Sequence, residues 1–346
     1  MSGQQVVRRG ALHPSIRPAI RPAAALLAAA MLAYGSCATP SLAQSDAAAN
    51  YPMKPIHAIL PLAPGTGGDV VARLSLNALA QTLGQSIVIE NKGGAGGTIG
   101  AGQVAKAEPD GYTLLFHSST HVIAASLYTN LPYDVANDFA GVAPIGSVPS
   151  ALVVSPSKGF KDLKDFVTKA RANSAGFTYA SAGVGSTTHL TAERLRISAG
   201  FNAVHVPFRG GGFQPEIIAG RVDFGYSPIA TSLPNIKEGR LQALAVSSPK
   251  RATALPELPT TLEAGYADSD YVIWFGLFLP AKTPRAIVDK LADATRRTLE
   301  QPALRERFAG LDVSPMPMSP QEFDALIRKD IVANAALAKA AGLKPN

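Results

Sequence analysis

The residues of this 346-residue chain whose types and spacing could do chemistry are glycines and hydroxyls grouped in three turns. The first turn reads Leu62-Ala63-Pro64-Gly65-Thr66-Gly67-Gly68-Asp69. The second reads Gly93-Gly94-Ala95-Gly96-Gly97-Thr98-Ile99-Gly100. The third reads Ser181-Ala182-Gly183-Val184-Gly185-Ser186-Thr187. The first and third stand between a strand pattern and a helix pattern. A helix N-terminus carries unpaired N–H groups and a partial positive charge, and glycine lets a ligand approach that backbone closely. In open parallel sheets, ligands gather at the C-terminal ends of the strands. Two such turns facing each other would hold one carboxylate from both sides. Taken singly, each turn is equally well explained as a tight strand-to-helix connection.

Other chemistries fit less well. Ile99 stands where a dinucleotide fingerprint needs glycine, and no phosphate-loop motif occurs, so residues 93–100 read as a close-packed turn. Asp69 begins a helix and reads as a cap or first-turn acid. The functional alternative is that it holds the loop or accepts a hydrogen bond from a ligand hydroxyl or amine. It would repel a carboxylate at close range. His117 and His121 have metal-like spacing only if that stretch is helical, and Ser118-Ser119 after a strand argue against it. His189 reads as a helix-start residue that supports the third turn. Ser181 or Ser186 would be the nucleophile of a hydrolase, yet Tyr179 stands where the G-x-S-x-G pattern needs its first glycine. Arg209, after a strand and before glycines, reads either as a cation facing an anionic ligand or as a solvated surface residue. Trp274 and Phe275 read as core, with Trp274 lining a cleft as the alternative.

These turns need elements to position them. Strand patterns occur at residues 56–60, 86–90, 113–116, 178–180, 203–206, 222–226, 241–246 and 271–279, with a short one near 311–314. Helical patterns occur at 70–83, 161–172, 188–198, 213–219, 286–299 and 320–341. Strand then helix, repeated, argues for an α/β fold with parallel sheets covered on both faces. Boundaries near residues 149–155 and 267–271 imply a chain that leaves one domain, builds a second and returns. The expected arrangement is 51–150 plus 270–346 as domain 1 and 151–269 as domain 2.

The N-terminus reads differently. Arg8, Arg9, Arg17 and Arg21 precede a small-apolar run over residues 23–33, and Ser41-Leu42-Ala43 forms a small-x-small signal. Residues 1–43 are therefore expected to be a secretory signal peptide. Its removal takes four arginines and no acid from a net charge of +7, so the basic balance is weak evidence for nucleic acid, and none is expected. The single cysteine, Cys37, leaves with it. A lipid anchor at Cys37 is the alternative, although Tyr34 is not the aliphatic residue such an anchor uses.

The ordered set Tyr51-Pro52-x-Lys54-Pro55-Ile56, Asp69-Val70-Val71-Ala72-Arg73, Glu90-Asn91-Lys92-x-Gly94-Ala95-Gly96-Gly97, Pro109-Asp110-Gly111-Tyr112, Ser181-Ala182-Gly183-x-Gly185-Ser186-x-x-His189, His205-Val206-Pro207-Phe208 and Trp274-Phe275-Gly276 resembles the Bug family of periplasmic solute receptors. Those receptors serve tripartite tricarboxylate transporters. The resemblance implies an α/β, two-domain periplasmic-binding-protein fold of type II, the venus flytrap, with parallel-rich sheets and an interdomain cleft. It implies a periplasmic, non-catalytic receptor, without cofactor or metal and monomeric, that takes a small carboxylate to a membrane permease. A sensing role toward a signalling partner is the alternative, as is a serine hydrolase on the same fold. The site implied comprises Pro64, Gly65, Thr66, Gly67, Gly68, Asp69, Ser118, Ser181, Ala182, Gly183, Gly185, Ser186, Thr187, Arg209, Tyr226 and Ser227. Tyr226-Ser227-Pro228 stands where many relatives have Phe-Asp-Asn. The missing aspartate disfavours an amino acid and favours a plain mono- or dicarboxylate, with an aromatic body as one option.

Overall fold

The computed structural model describes residues 49–208 and 212–343. The expected signal peptide, Cys37 and Arg209 lie outside them. In chain order the strands are β1 (Ile56–Leu60), β2 (Ile87–Asn91), β3 (Thr113–Ser118), β4 (Phe139–Val148), β5 (Ser150–Val154), β6 (Phe177–Ser181), β7 (Ala203–Pro207), β8 (Phe224–Pro228), β9 (Gln242–Val246), β10 (Ile273–Pro280) and β11 (Ser314–Pro315). The helices are α1 (Gly67–Leu83), α2 (Thr98–Ala105), α3 (Thr120–Leu127), α4 (Leu163–Ala172), α5 (Thr187–Ala199), α6 (Gln214–Ile218), α7 (Ile229–Lys237), α8 (Arg285–Leu299), α9 (Pro302–Gly310) and α10 (Pro320–Ala340).

The strands form two sheets, ordered β11-β4-β10-β3-β1-β2 and β7-β6-β8-β5-β9. Both are mixed, where alternation of strand and helix predicts parallel ones. β1 pairs in parallel with β2 and β3, but β10 enters antiparallel between β3 and β4. In the second sheet β6 is parallel to β7 and β8, and β5 is antiparallel to β8 and β9. The antiparallel strands are those next to the sheet changes. The chain passes from β4 to β5 through Pro149 alone, and from β9 to β10 through residues 247–272. A strand that crosses between sheets takes its direction from the crossing, which no residue pattern encodes.

Each sheet is covered on both faces. On the first, Val71, Leu76 and Leu79 of α1 join Leu60, Leu114 and Leu291, while Trp274, Phe278 and Phe323 pack with Leu115 on the other face. On the second, Phe166, Tyr179, Leu195 and Phe224 form one layer and Ala180, Phe213 and Ile217 the other. Each fully buried Leu, Val or Phe contributes about 1.5–3 kcal/mol. Helix ends follow local chemistry. Thr66 caps α1, Ser186 caps α5, and α1 stops at Gly84 with φ 67°. Ser319 and Glu322 form a reciprocal capping box on α10.

Candidate functional site

The two sheets border one cleft of about 1050 Å³, and residues after β1, β2, β3, β6, β7 and β8 line it. The first and third glycine turns therefore meet at one cavity. Residues 63–68 approach from the first sheet and 182–188 from the second. Each turn packs at one edge against a residue of the opposite half. A methyl built on Gly67 would lie 3.3 Å from Thr231 Cγ2, and one on Gly185 would overlap Leu127 Cδ1.

The first turn is held from below. Asp69 is buried, and its Oδ2 accepts from Gly65 N at 2.9 Å and Arg73 Nε at 3.0 Å. Its Oδ1 accepts from Asn91 Nδ2 at 2.9 Å. Burial raises the carboxyl pKa, but the hydrogen bonds from Arg73, Asn91 and Gly65 together outweigh it and hold Asp69 below the usual carboxylate value. Asp69 thus fixes the turn and does not line the cavity. Gly65 has φ 76°, which glycine adopts without strain, and its missing Cβ faces open space.

The third turn is held in the same way by different groups. Ser186 Oγ donates to Gly183 O at 2.8 Å and accepts from His189 N at 3.3 Å. Gly185 N donates to His189 Nδ1 at 3.1 Å, and Ala182 N to Thr188 Oγ1 at 3.0 Å. The His189 ring stacks on His205 with centroids 3.8 Å apart. Burial pushes His189 down to about 3 and His205 to about 4, so both rings stay neutral. Ser181 Oγ lies 2.6 Å from His205 Nε2, but Ser181 is fully buried beneath the turn and does not line the cavity. That pair supports the loop and presents no nucleophile.

Most turn amides are consumed internally. Gly65, Thr66 and Asp69 in the first turn, and Ala182, Gly183, Gly185 and Ser186 in the third, donate to neighbouring groups. Gly67 and Gly68, at the start of α1, and Thr187 and Thr188, at the start of α5, line the cavity. Their amides make no hydrogen bond within the described residues. Helices α2, α3 and α7 also begin at the cavity, at Gly97, Thr120 and Pro228. Each helix start carries about half a positive charge. Among the described residues no Asp, Glu, Lys or Arg lines the cavity. Its remaining wall is largely apolar, with Leu62, Ile123, Phe208, Phe213, Ile273 and Phe275. Such a site favours an anion with a hydrocarbon body.

The expected site residues divide accordingly. Pro64, Gly65, Thr66, Gly67, Gly68, Ser118, Ala182, Gly183, Gly185, Ser186, Thr187 and Ser227 line the cavity. Asp69, Ser181 and Tyr226 do not. Tyr226 alternates with Ser227 on β8 and points into the core, fully buried. Trp274 is also turned away and donates from Nε1 to Asp330 Oδ2 at 2.7 Å, whereas Phe275 faces the cleft. The second glycine turn is not merely close-packed, since Gly93, Gly94, Gly96 and Gly97 line the cavity. His117 is the penultimate residue of β3 and His121 sits on α3, their ring centroids 5.3 Å apart. Gln214 and Thr231 were not singled out by the sequence. Gln214 Nε2 donates to Ser227 Oγ at 2.9 Å and Thr231 O at 3.3 Å, while Asn235 Nδ2 donates to its Oε1 at 2.7 Å. Only the Phe213-Gln214-Pro215 run after the glycines could have hinted at Gln214, and nothing marked Thr231.

The family model described as tripartite tricarboxylate transporter family receptor matches residues 71–343. Protein BugT of Bordetella pertussis is 32% identical over 310 residues, 89% of this chain and 95% of that protein. The structure of periplasmic binding protein BugD superposes with a TM-score of 0.77 at 32% identity, covering 86% of this chain and 100% of that one. MatC from Rhodopseudomonas palustris with bound malate superposes with a TM-score of 0.74 at 32% identity, covering 83% and 99%. An R. palustris protein with adipate superposes with a TM-score of 0.79 at 30% identity, covering 86% and 100%.

Proposed function

We propose, for a chain that belongs to the tripartite tricarboxylate transporter receptor family, that the cleft captures a small carboxylate outside the cytoplasm and releases it unchanged to a membrane permease. One observation carries this reading. Unspent amides at the starts of α1 and α5 border a single cavity from two different sheets, and no charged side chain among the described residues lines it. A carboxylate between Gly67–Gly68 and Thr187–Thr188 would accept hydrogen bonds from both sides and lie on two helix dipoles. Ser118 adds a hydroxyl on the first-sheet side, whereas the hydroxyls of Thr66 and Ser186 donate to Ala63 O and Gly183 O within their own turns. Malate in MatC and adipate in the second R. palustris protein are carboxylates held by relatives of this fold. Periplasmic residence follows the same relationship and the signal read at residues 1–43.

The test is a thermal-shift screen of the processed protein against small carboxylates. A ligand at 100 times its Kd stabilises by about 2.7 kcal/mol, which raises the melting temperature measurably. Failure of every mono-, di- and tricarboxylate to shift well-folded protein overturns the reading. Delivery to a permease is tested separately. Deletion should abolish uptake of the stabilising ligand, and uptake that persists unchanged argues for a sensing role.

A further inference from the structure

Helix α5 brings Thr187 and Thr188 to the cleft from the second sheet. Thr187, Leu190 and Arg194 stand at i, i+3 and i+7, so they share one face of that helix. Beyond the cleft this face meets elements of the first sheet. Leu190 joins Ile123 and Leu127 of α3, Tyr271, and Ala338 of α10 in one apolar cluster. Arg194 is half-buried. Its Nη1 donates to Asp270 O at 2.6 Å, and its guanidinium lies over the Tyr271 ring, 5.6 Å from the centroid. The Tyr271 hydroxyl donates to Asn334 Oδ1 of α10 at 2.8 Å, and both residues are buried. One turn earlier on α10, Asp330 accepts from Trp274 Nε1 at 2.7 Å. Burial raises the Asp330 carboxyl, and the Trp274 hydrogen bond and the Lys329 and Arg194 charges oppose that rise. Arg194, Asp270, Tyr271, Asn334 and Asp330 do not line the cavity.

We propose that Arg194 is a positioning residue: with Tyr271 and Asn334 it latches α5 to α10, fixes the angle between the two sheets, and so sets carboxylate affinity from outside the cleft. The inference rests on the carboxylate reading above and adds a determinant of affinity that touches no ligand. Tyr271 is the pivot. It lies on the crossing from β9 to β10, two residues before β10 pairs into the first sheet at Ile273. Its backbone bonds Ser247, at the end of the second sheet's β9, while its hydroxyl is held by α10. Arg194 ties α5 to that pivot. The latch is made in the same arrangement in which Gly67 lies against Thr231, and Gly185 against Leu127, across the cleft. Turning the sheets apart moves α5 against α3 and α10, which the latch resists. A ligand that bridges both sheets binds only molecules in the near arrangement, so apparent affinity scales with their fraction. Loss of the latch lowers that fraction by one factor, whatever the ligand.

Isothermal titration with succinate, malate, glutarate and adipate tests this, together with X-ray scattering of the unliganded protein. Arg194→Met keeps an apolar stem and removes the donors and the charge. It should weaken every carboxylate that binds the parent by one common factor, about tenfold. Arg194→Lys, which keeps a charged donor toward Asp270 O, should recover part of the loss. Tyr271→Phe cuts the next link to Asn334 and should act in the same direction, and it carries the test if Arg194→Met does not fold. Melting without ligand confirms the fold of each variant. Unliganded Arg194→Met should show a larger radius of gyration than the parent, and saturating ligand should bring the two together. Unchanged affinity, or factors that differ from ligand to ligand, overturns the latch and leaves the clamp standing. If the parent binds no carboxylate the clamp falls, and the scattering comparison decides the latch: equal radii overturn it.

Discussion

Tyr226 and Ser227 are adjacent on β8 and face opposite ways, one into the core and one into the cleft. Among the described residues the Tyr226 hydroxyl is buried without a hydrogen-bond partner, and burial raises its pKa far above the ordinary value. An unpaired buried hydroxyl costs stability and gains nothing from a ligand it cannot reach. Tyr226→Phe should therefore match or exceed the parent in stability, by up to about 1 kcal/mol in urea titration, with ligand affinity unchanged. A tenfold loss of affinity would return Tyr226 to the site. His121 is a second such residue. Both ring nitrogens are buried and have no hydrogen-bond partner among the described residues, lying among Tyr133, Phe139 and Phe278. His121→Phe is expected to stabilise the protein at pH 7 by about 1 kcal/mol.

Helix starts do the binding in the proposed function, and they can be edited one amide at a time. Thr187 is the first residue of α5, and Ser186 before it is extended at φ −70°, ψ 158°, the conformation that a following proline requires. Proline is favoured at a first helical position, where its missing N–H breaks no helical bond. Thr187→Pro should leave melting within about 1 kcal/mol of the parent and weaken carboxylate binding about tenfold, whereas Thr187→Val separates out the hydroxyl. Asp69→Ala acts one layer below. It leaves Gly65 N and Asn91 without their acceptor, so it should cost about 1–3 kcal/mol and loosen binding through the turn. The start of α5 was legible to within a residue, 188 against Thr187, but α1 begins at Gly67 and not at 70, because its cap is Thr66 and Asp69 lies inside the first turn. Which amides remain unspent was not legible, since that depends on Asp69 and His189 folding back onto their own loops. The short helices α2, α3 and α7 also escaped notice. α2 and α3 are largely apolar, Pro234 interrupts α7, and no side chain caps the starts at Gly97, Ser119 and Pro228. β5 was read as a boundary because all five of its residues are buried, so it shows no alternation.

At the scale of the whole molecule, buried histidines set the response to acid. Burial pushes His117 and His189 to about 3, His205 to about 4, and His121 well below its ordinary value. In the unfolded chain each titrates near 6.5, so below that value the unfolded state binds more protons. Their contribution is complete above about pH 6.5 and is lost as pH falls toward 4. The slope is about 1.4 kcal/mol per pH unit for each of the fully buried His117 and His121. Melting temperature should be flat above pH 7 and fall below 6, and His121→Phe should flatten that fall. An unchanged slope in this variant would show that His121 is protonated in the fold.

The crossings between the sheets are stitched to one another. Ser247 N donates to Ser150 O at 2.8 Å, Tyr271 N to Ser247 O at 2.7 Å, and Ser247 Oγ to Tyr271 O at 2.7 Å. Ile123, Leu127, Leu190, Tyr271 and Ala338 form a common apolar cluster, which ties α3, α5 and α10 together. These contacts couple the stability of the two halves. In a calorimeter the protein should give one endotherm, with van't Hoff and calorimetric enthalpies equal. Ser247→Ala, which cuts one stitch, is where a shoulder would first emerge.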